Sequence, residues 1–293
     1  MLPREMLARC ARNFPDKVAY YCGENQRTWQ QMHKRSCRLA VALQRLGARK
    51  GDTVAILGHE SFEIYEHFFA CVRLVTNRGG LCWRSARPEL LHVLRDSATR
   101  FLLVQTTCLS LLAQIRAEVD ALGIKLIGYG GAHDLPYDYE RLLTQAVSIE
   151  PAQPPISADD VLLYSYTSGT TGNPKGAMLT HGAVGKTIFQ SLAGFGFSPD
   201  DVWYMPAQSA WVAVLMNLFG LGNGMSHVIP DGVFEITKFL RDVERLRVTT
   251  VLLVPTMIHR ALHEYRAQTY DLSSLRLLIY GSAPAAPKLL REA

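Results

Sequence analysis

Apolar residues in the first half of the chain alternate between helical spacing and short unbroken runs. Residues 4 to 13 and 29 to 48 place apolar side chains three and four positions apart, which predicts two amphipathic helices, the second ending at Gly47. Val54-Ala55-Ile56-Leu57 is a continuous apolar run closed by Gly58, the pattern of a strand covered on both faces. Helical spacing returns over about 60 to 74 and about 87 to 97. Phe101 to Val104 then predicts a second strand, about 108 to 122 another helix, and Lys125 to Gly128 a third strand.

Residues 148 to 160 (SIEPAQPPISADD) are rich in proline and polar side chains and predict a connection between two lobes, about 1–150 and about 161–293. Beyond it the alternation resumes. Val161 to Tyr164, Val202 to Met205, His227 to Ile229, Thr250 to Val254 and Leu275 to Tyr280 read as strands. Helices are expected at about 182 to 193, 235 to 246 and 256 to 266. Short apolar strands separated by helices predict an α/β protein with doubly wound, mainly parallel sheets in both lobes.

Composition narrows the class of protein. The 293 residues are 48% hydrophobic and 19% charged, enough apolar material for one large core or two smaller ones. The net charge of +5 is modest and the basic residues are dispersed, which predicts no nucleic-acid partner. Cys10, Cys22, Cys37, Cys71, Cys82 and Cys108 contain no C-x-x-C pair and read as buried reduced thiols. The charged N-terminus lacks the apolar segment of a signal peptide, and no uncharged run approaches the roughly 20 residues of a membrane span. A cytoplasmic protein is expected.

The chemistry concentrates in YTSGTTGNPKGAMLTH, residues 166 to 181. Thr167, Ser168, Thr170 and Thr171 are interleaved with Gly169 and Gly172, so backbone N–H groups and hydroxyls can converge on one anion. Lys175 adds a cation and Pro174 restricts the chain beside it. These parts make a polyphosphate binder, although a polar surface loop can share the composition. Gly182 to Thr187 ends like a Walker A loop, but Thr180 occupies the position of its first glycine, so G-K-T is expected inside a helix. His259 and His263 are four apart without a third ligand, and no metal site is expected there.

The full string Tyr166 to Gly176 resembles the phosphate-loop signature of the adenylate-forming superfamily, the AMP-binding enzymes that include acyl-CoA synthetases, peptide-synthetase adenylation domains and luciferases. It matches aromatic-T-S-G-[ST]-T-G-x-P-K-G at each fixed position. The resemblance implies that Thr167 to Gly172 and Lys175 hold ATP, with Thr170 and Lys175 in catalytic roles. LIYGSAPAAPKLL, residues 278 to 290, resembles the segment that lies along the adenine, with Gly281, Ser282, Ala283 and Pro284 as one wall of the adenine and acyl pocket. YMPAQSAWVAVLMNLFGLGNG corresponds to the P-x-x-H-x-x-G region, in which Ser209 stands at the histidine position. Ser209 and Trp211 are the implied acid-pocket residues and Met216 could join them, although core packing is the expected role of Trp211 and Met216.

In that family a fatty, aromatic or other carboxylic acid attacks the α-phosphate of ATP bound with Mg2+, and the acyl group then passes to a thiol. The thiol belongs to coenzyme A or to a carrier-protein phosphopantetheine. Family members continue with a Y-G-x-T-E motif that helps bind magnesium, a ribose-binding aspartate and a small C-terminal domain carrying a lysine. None of these occurs in the 293 residues. The expectation is therefore the N-terminal part of an acyl-CoA ligase-like enzyme, binding ATP weakly by itself. A carrier-loading adenylation domain and a non-catalytic remnant are the two other readings.

Overall fold

The computed structural model describes residues 1–146, 151–167, 173–210, 212–265 and 269–293. Helix α1 (Pro3–Asn13) leads into a hairpin of β1 (Val18–Cys22) and β2 (Asn25–Thr28) and then α2 (Trp29–Arg45). Thr28 caps α2 by accepting from the Gln31 N–H, and the Gln31 side chain accepts from the Thr28 N–H in return. Next come β3 (Thr53–Leu57), α3 (Phe62–Leu74), β4 (Asn77–Leu81), α4 (Arg87–Asp96) and β5 (Thr99–Gln105). A 3-10 turn at Thr106–Cys108 precedes the short helices α5 (Leu109–Ala113) and α6 (Arg116–Ala121). Strands β6 (Lys125–Tyr129) and β7 (Tyr137–Asp138) and helix α7 (Tyr139–Gln145) follow.

The second half holds β8 (Val161–Thr167), β9 (Lys175–Thr180), α8 (His181–Phe195) and β10 (Val202–Tyr204). A 3-10 segment (Val212–Leu218), α9 (Gly220–Asn223), β11 (Ser226–Ile229) and α10 (Ile236–Arg245) come next. Strand β12 (Thr250–Leu253), α11 (Pro255–Glu264), β13 (Leu277–Tyr280) and α12 (Pro287–Glu292) complete the described chain.

The strands form two sheets, in the orders β7-β6-β5-β3-β4-β8-β9 and β13-β12-β10-β11-β1-β2. Pairing is parallel except in the β1–β2 and β8–β9 hairpins. Along β3 and β5, alternate residues face opposite sides. Val54, Ile56, Phe101 and Leu103 meet α2 and α3, whereas Ala55, Leu57, Leu102 and Val104 meet α4, α5 and α6. In the second sheet Tyr204, Val228, Val251 and Leu253 pack with α10 and α11, and Trp203 and Met205 pack with Phe219 on the other side. Both sheets are doubly covered, the α/β architecture that the alternation of strands and helices in the sequence predicts.

The sheets do not divide where the proline-rich segment predicts. The β1–β2 hairpin joins the second sheet, with Tyr20 opposite His227, and β8 joins the first, with Arg78 opposite Leu163. An apolar strand pairs with whichever edge leaves it covered on both faces, so sequence proximity does not choose the sheet. Of the expected connection, residues 148–150 lie outside those described. Residues 152–155 are fastened to the first half by Gln44 to the Ala152 carbonyl (2.7 Å), Arg4 to Pro154 (3.0 Å) and Lys50 to Pro155 (3.0 Å).

Three further differences concern single elements. The helix expected at 108 to 122 is two short helices broken at Ile115, whose side chain is fully buried. Strand β4 (NRGGL) is wholly buried yet carries no apolar pattern, so sequence periodicity misses it. Strand β9 was hidden inside the phosphate-loop string.

Candidate functional site

In a parallel sheet ligands gather beyond the carboxyl ends of the strands. Each segment singled out in the sequence leaves such an end. The glycine-rich loop follows β8, Gln208 to Ala210 follow β10, and Gly281 to Pro284 follow β13.

The glycine-rich loop closes a hairpin. Thr167, the last residue of β8, stands opposite Lys175, the first of β9, and both are exposed. The structure thus brings these two predicted residues together across one rung of the ladder. Ser168, Gly169, Thr170, Thr171 and Gly172 lie outside the described residues. Helix α4 holds both sides of the loop. Tyr166 donates its hydroxyl to Asp96 (2.7 Å), and His92 Nε2–H donates to the Pro174 carbonyl (2.8 Å). Burial, and then the Asp96 carboxylate, push the Tyr166 hydroxyl pKa upward, so it stays a protonated donor. The Tyr166 ring also covers Gly176, where an added Cβ would lie 2.9 Å from the ring. No sequence pattern marked His92 or Asp96, because a helix that supports a loop carries no motif of its own.

The G-K-T triplet sits within α8 as expected, with Thr180 accepting from the Ala183 N–H at the helix start. His259 and His263 are exposed on α11. Met216 packs against the Trp203–Phe219 cluster, a core position.

Ser209 turns away from solvent into a buried polar network. Its N–H (2.6 Å) and hydroxyl (2.7 Å) both donate to Glu60 Oε1, and Tyr65 donates to Oε2 at 3.0 Å. Asn217 donates to the Tyr65 oxygen and accepts from Trp203 Nε1, linking the network into the second sheet. Burial raises the Glu60 pKa, opposed by the Ser209 and Tyr65 bonds and by the charge of Arg78. Ser209 is therefore committed to positioning the segment between β10 and the following 3-10 turn. Trp211, its neighbour in the implied acid pocket, lies outside the described residues. Cys82, beyond β4, donates to Gln208 at 3.3 Å, so the carboxyl edges of the two sheets meet along residues 208 to 210.

Gly281 to Pro284 extend from the edge strand β13. Ser282 takes a left-handed φ of 68°, which costs a non-glycine residue about 1 kcal/mol or more. Among the described residues no hydrogen bond or ion pair joins this segment to the Thr167–Lys175 hairpin.

The β8–β9 hairpin thus stands at the carboxyl edge of a doubly wound sheet, with the superfamily signature between its strands in sequence. The chain belongs to the AMP-binding enzyme family, whose model matches residues 7–293. It is 32% identical to an indoleacetate–CoA ligase of Aromatoleum aromaticum, over 98% of this chain and 56% of that protein. It is 29% identical to the fatty acid–[acyl-carrier-protein] ligase ScoC of Streptomyces coeruleorubidus, over 96% of this chain and 53% of that protein. Among solved structures, the anthranilate CoA ligase AuaEII with anthranoyl-AMP superposes with a TM-score of 0.92 at 25% identity, over all of this chain and 57% of that one. The chain spans about half the length of the curated relatives it matches.

Proposed function

We propose that this chain supplies the ATP-binding part of an acid–thiol ligase, which joins a carboxylic acid to AMP and then transfers the acyl group to coenzyme A. The observation that carries the reading is the hairpin that sets Thr167 opposite Lys175, held by α4 and enclosing the superfamily signature. Hydroxyls and backbone N–H groups of residues 167 to 172 would bind the β- and γ-phosphates, and the Lys175 ammonium would follow their charge. Such donors stabilise the charge that develops as pyrophosphate leaves, and removing one costs about 10²–10³ in rate. Gly281 to Pro284, beyond β13, would flank the adenine, and the exposure of Ser282, Ala283 and Pro284 suits that role.

Among the described residues no three His, Cys, Asp or Glu side chains converge on a point that could hold a metal ion. Mg2+ would arrive with ATP, held mainly by the phosphates and water rather than by a dedicated cluster of protein side chains. Coenzyme A is favoured as acceptor by the indoleacetate relative. The carrier-protein alternative is favoured by the ScoC relative, whose name specifies an acyl-carrier protein.

ATP–pyrophosphate exchange across a panel of carboxylic acids tests the reading. Exchange should depend on the acid supplied and fall by about 10²-fold or more in Lys175→Ala combined with Thr170→Ala. Stimulation of thioester formation by free coenzyme A, as against a phosphopantetheinyl carrier, separates the two acceptors. A chain that neither exchanges pyrophosphate nor binds ATP by calorimetry overturns the proposal and favours the non-catalytic reading.

A further inference from the structure

Arg78 stands in the middle of β4 with about 1% of its surface exposed. Among the described residues, none of its three guanidinium nitrogens has a hydrogen-bond partner. Burying a guanidinium without acceptors costs several kcal/mol, so interior arginines are normally bound through most of their donors. Glu60 acts on Arg78 electrostatically, but its own oxygens are taken by Ser209 and Tyr65. With three donors already on its oxygens, Glu60 supplies counter-charge without supplying the acceptors.

The position of the guanidinium says where those acceptors would come from. Its Nη1 lies 2.5 Å from the point a Cβ on Gly80 would occupy, so the side chain runs along β4 toward the carboxyl edge of the sheet. The Ala210 carbonyl oxygen lies 2.8 Å from the same point. Only glycine at position 80 leaves room for the guanidinium and the Ala210 backbone together. The segment carrying Ala210 is the one that the Glu60–Ser209 bonds hold in place, and it precedes the implied acid-pocket residue Trp211. The guanidinium therefore presents its N–H donors beside the Gly80 and Ala210 backbone, with Glu60 as counter-charge.

We infer that Arg78 is a specificity-determining residue that recognises an uncharged oxygen, a hydroxyl or carbonyl, on the body of the acid substrate. This inference rests on the acid-activating reading given above. The oxygen is uncharged because Glu60 already balances the guanidinium, and a second carboxylate would leave the buried site with a net negative charge. A site built to donate to an oxygen discriminates strongly against the analogue that lacks it, since the donors are then left unsatisfied.

Non-hydrolysable acyl-sulfamoyl adenosines test this, in matched pairs with and without one oxygen and with the oxygen moved along the acyl group. Binding is measured by calorimetry for the wild-type chain, Arg78→Met and Arg78→Lys. The wild type should prefer one oxygen-bearing member by at least about tenfold. Arg78→Met should bring that ratio close to one while still binding the plain member, and Arg78→Lys should keep part of it. Unliganded Arg78→Met should unfold at the wild-type temperature or above, because it removes an unsatisfied buried charge. Equal binding of all pairs by the wild type, or a ratio that survives Arg78→Met, overturns the assignment. An unfolding temperature several degrees lower with the ratio unchanged also overturns it, making Arg78 a framework cation. Failure of every analogue to bind overturns the acid-activating reading, and the Arg78 assignment with it.

Discussion

His92 reaches from α4 to the backbone immediately ahead of Lys175, and its ring stands edge-on to Tyr166, with centroids 6.5 Å apart. One side chain therefore bears on both arms of the β8–β9 hairpin. Replacing it leaves the Pro174 carbonyl to solvent and lets the approach to Lys175 vary. His92→Ala is expected to weaken ATP binding several-fold in calorimetry while changing the unfolding temperature little. His92→Gln, which keeps a donor, should recover part of the loss. Unchanged affinity in His92→Ala would remove α4 from the account of nucleotide binding. The residues legible in the sequence were those inside a contiguous string, Thr167 to Gly176. Glu60, His92 and Asp96 were not legible, because each is a single polar residue whose meaning comes from a partner 70 or more positions away, and Arg78 was not, because only the packed sheet makes its charge a buried one.

At the scale of elements, strand β13 lies at the edge of its sheet and depends on what holds its approach. Asp201 ties three segments there, accepting from the Ser198 N–H (2.7 Å), Thr249 Oγ1 (2.6 Å) and Arg276 Nε (2.8 Å). Burial by itself would raise the Asp201 pKa, but the bonds from Arg276, Thr249 and Ser198 outweigh it and the pKa is lowered. A carboxylate with a lowered folded pKa stabilises the fold above the ordinary aspartate value of about 4 and ceases to do so as the pH falls through its folded value. Asp201→Asn should therefore destabilise the chain near neutrality by about 2 kcal/mol. It should also lessen the extra loss of stability below about pH 4. Chemical denaturation at pH 7 and pH 3.5 measures both, and equal loss at the two values would rule out the charged carboxylate as the cause. Helices such as α2, with strong periodicity and a Thr28–Gln31 cap, were legible to within three residues. Strand β4 was not, because Asn-Arg-Gly-Gly is accommodated by close neighbours rather than by apolar side chains.

Across the whole molecule, three histidines lie in the cores that join the layers. Burial lowers the pKa of His67 and His227 to about 3 and that of His181 to about 4. His227 accepts the Gly220 N–H on Nε2 (3.1 Å) and stacks on Tyr20, an arrangement only the neutral ring can make. In the unfolded chain these rings take up protons near pH 6.5, where the folded protein does not. The unfolded state binds more protons in that window, so stability is full above about pH 6.5 and declines as the pH falls toward 4. Thermal unfolding between pH 7.5 and 4.5 should show a steady fall in midpoint, shallower in His227→Gln. A flat profile in the wild type would show that these rings are not buried as described. Among the described residues no helix is long and apolar enough to cross a membrane.

The sequence by itself determined the α/β class, most of the helices, the buried strands with apolar runs, and the family to which the chain belongs, because each depends on residues close together in the chain. Periodicity, capping and contiguous motifs are local properties. Tertiary structure alone decided that the β1–β2 hairpin belongs with β11, that β8 belongs with β4, and that Ser209 faces Glu60. It also decided that Arg78 lies buried with its donors unmet among the described residues. These outcomes depend on which surfaces are left uncovered once the local elements exist, and on which charge is brought beside which. No window of neighbouring residues contains that information.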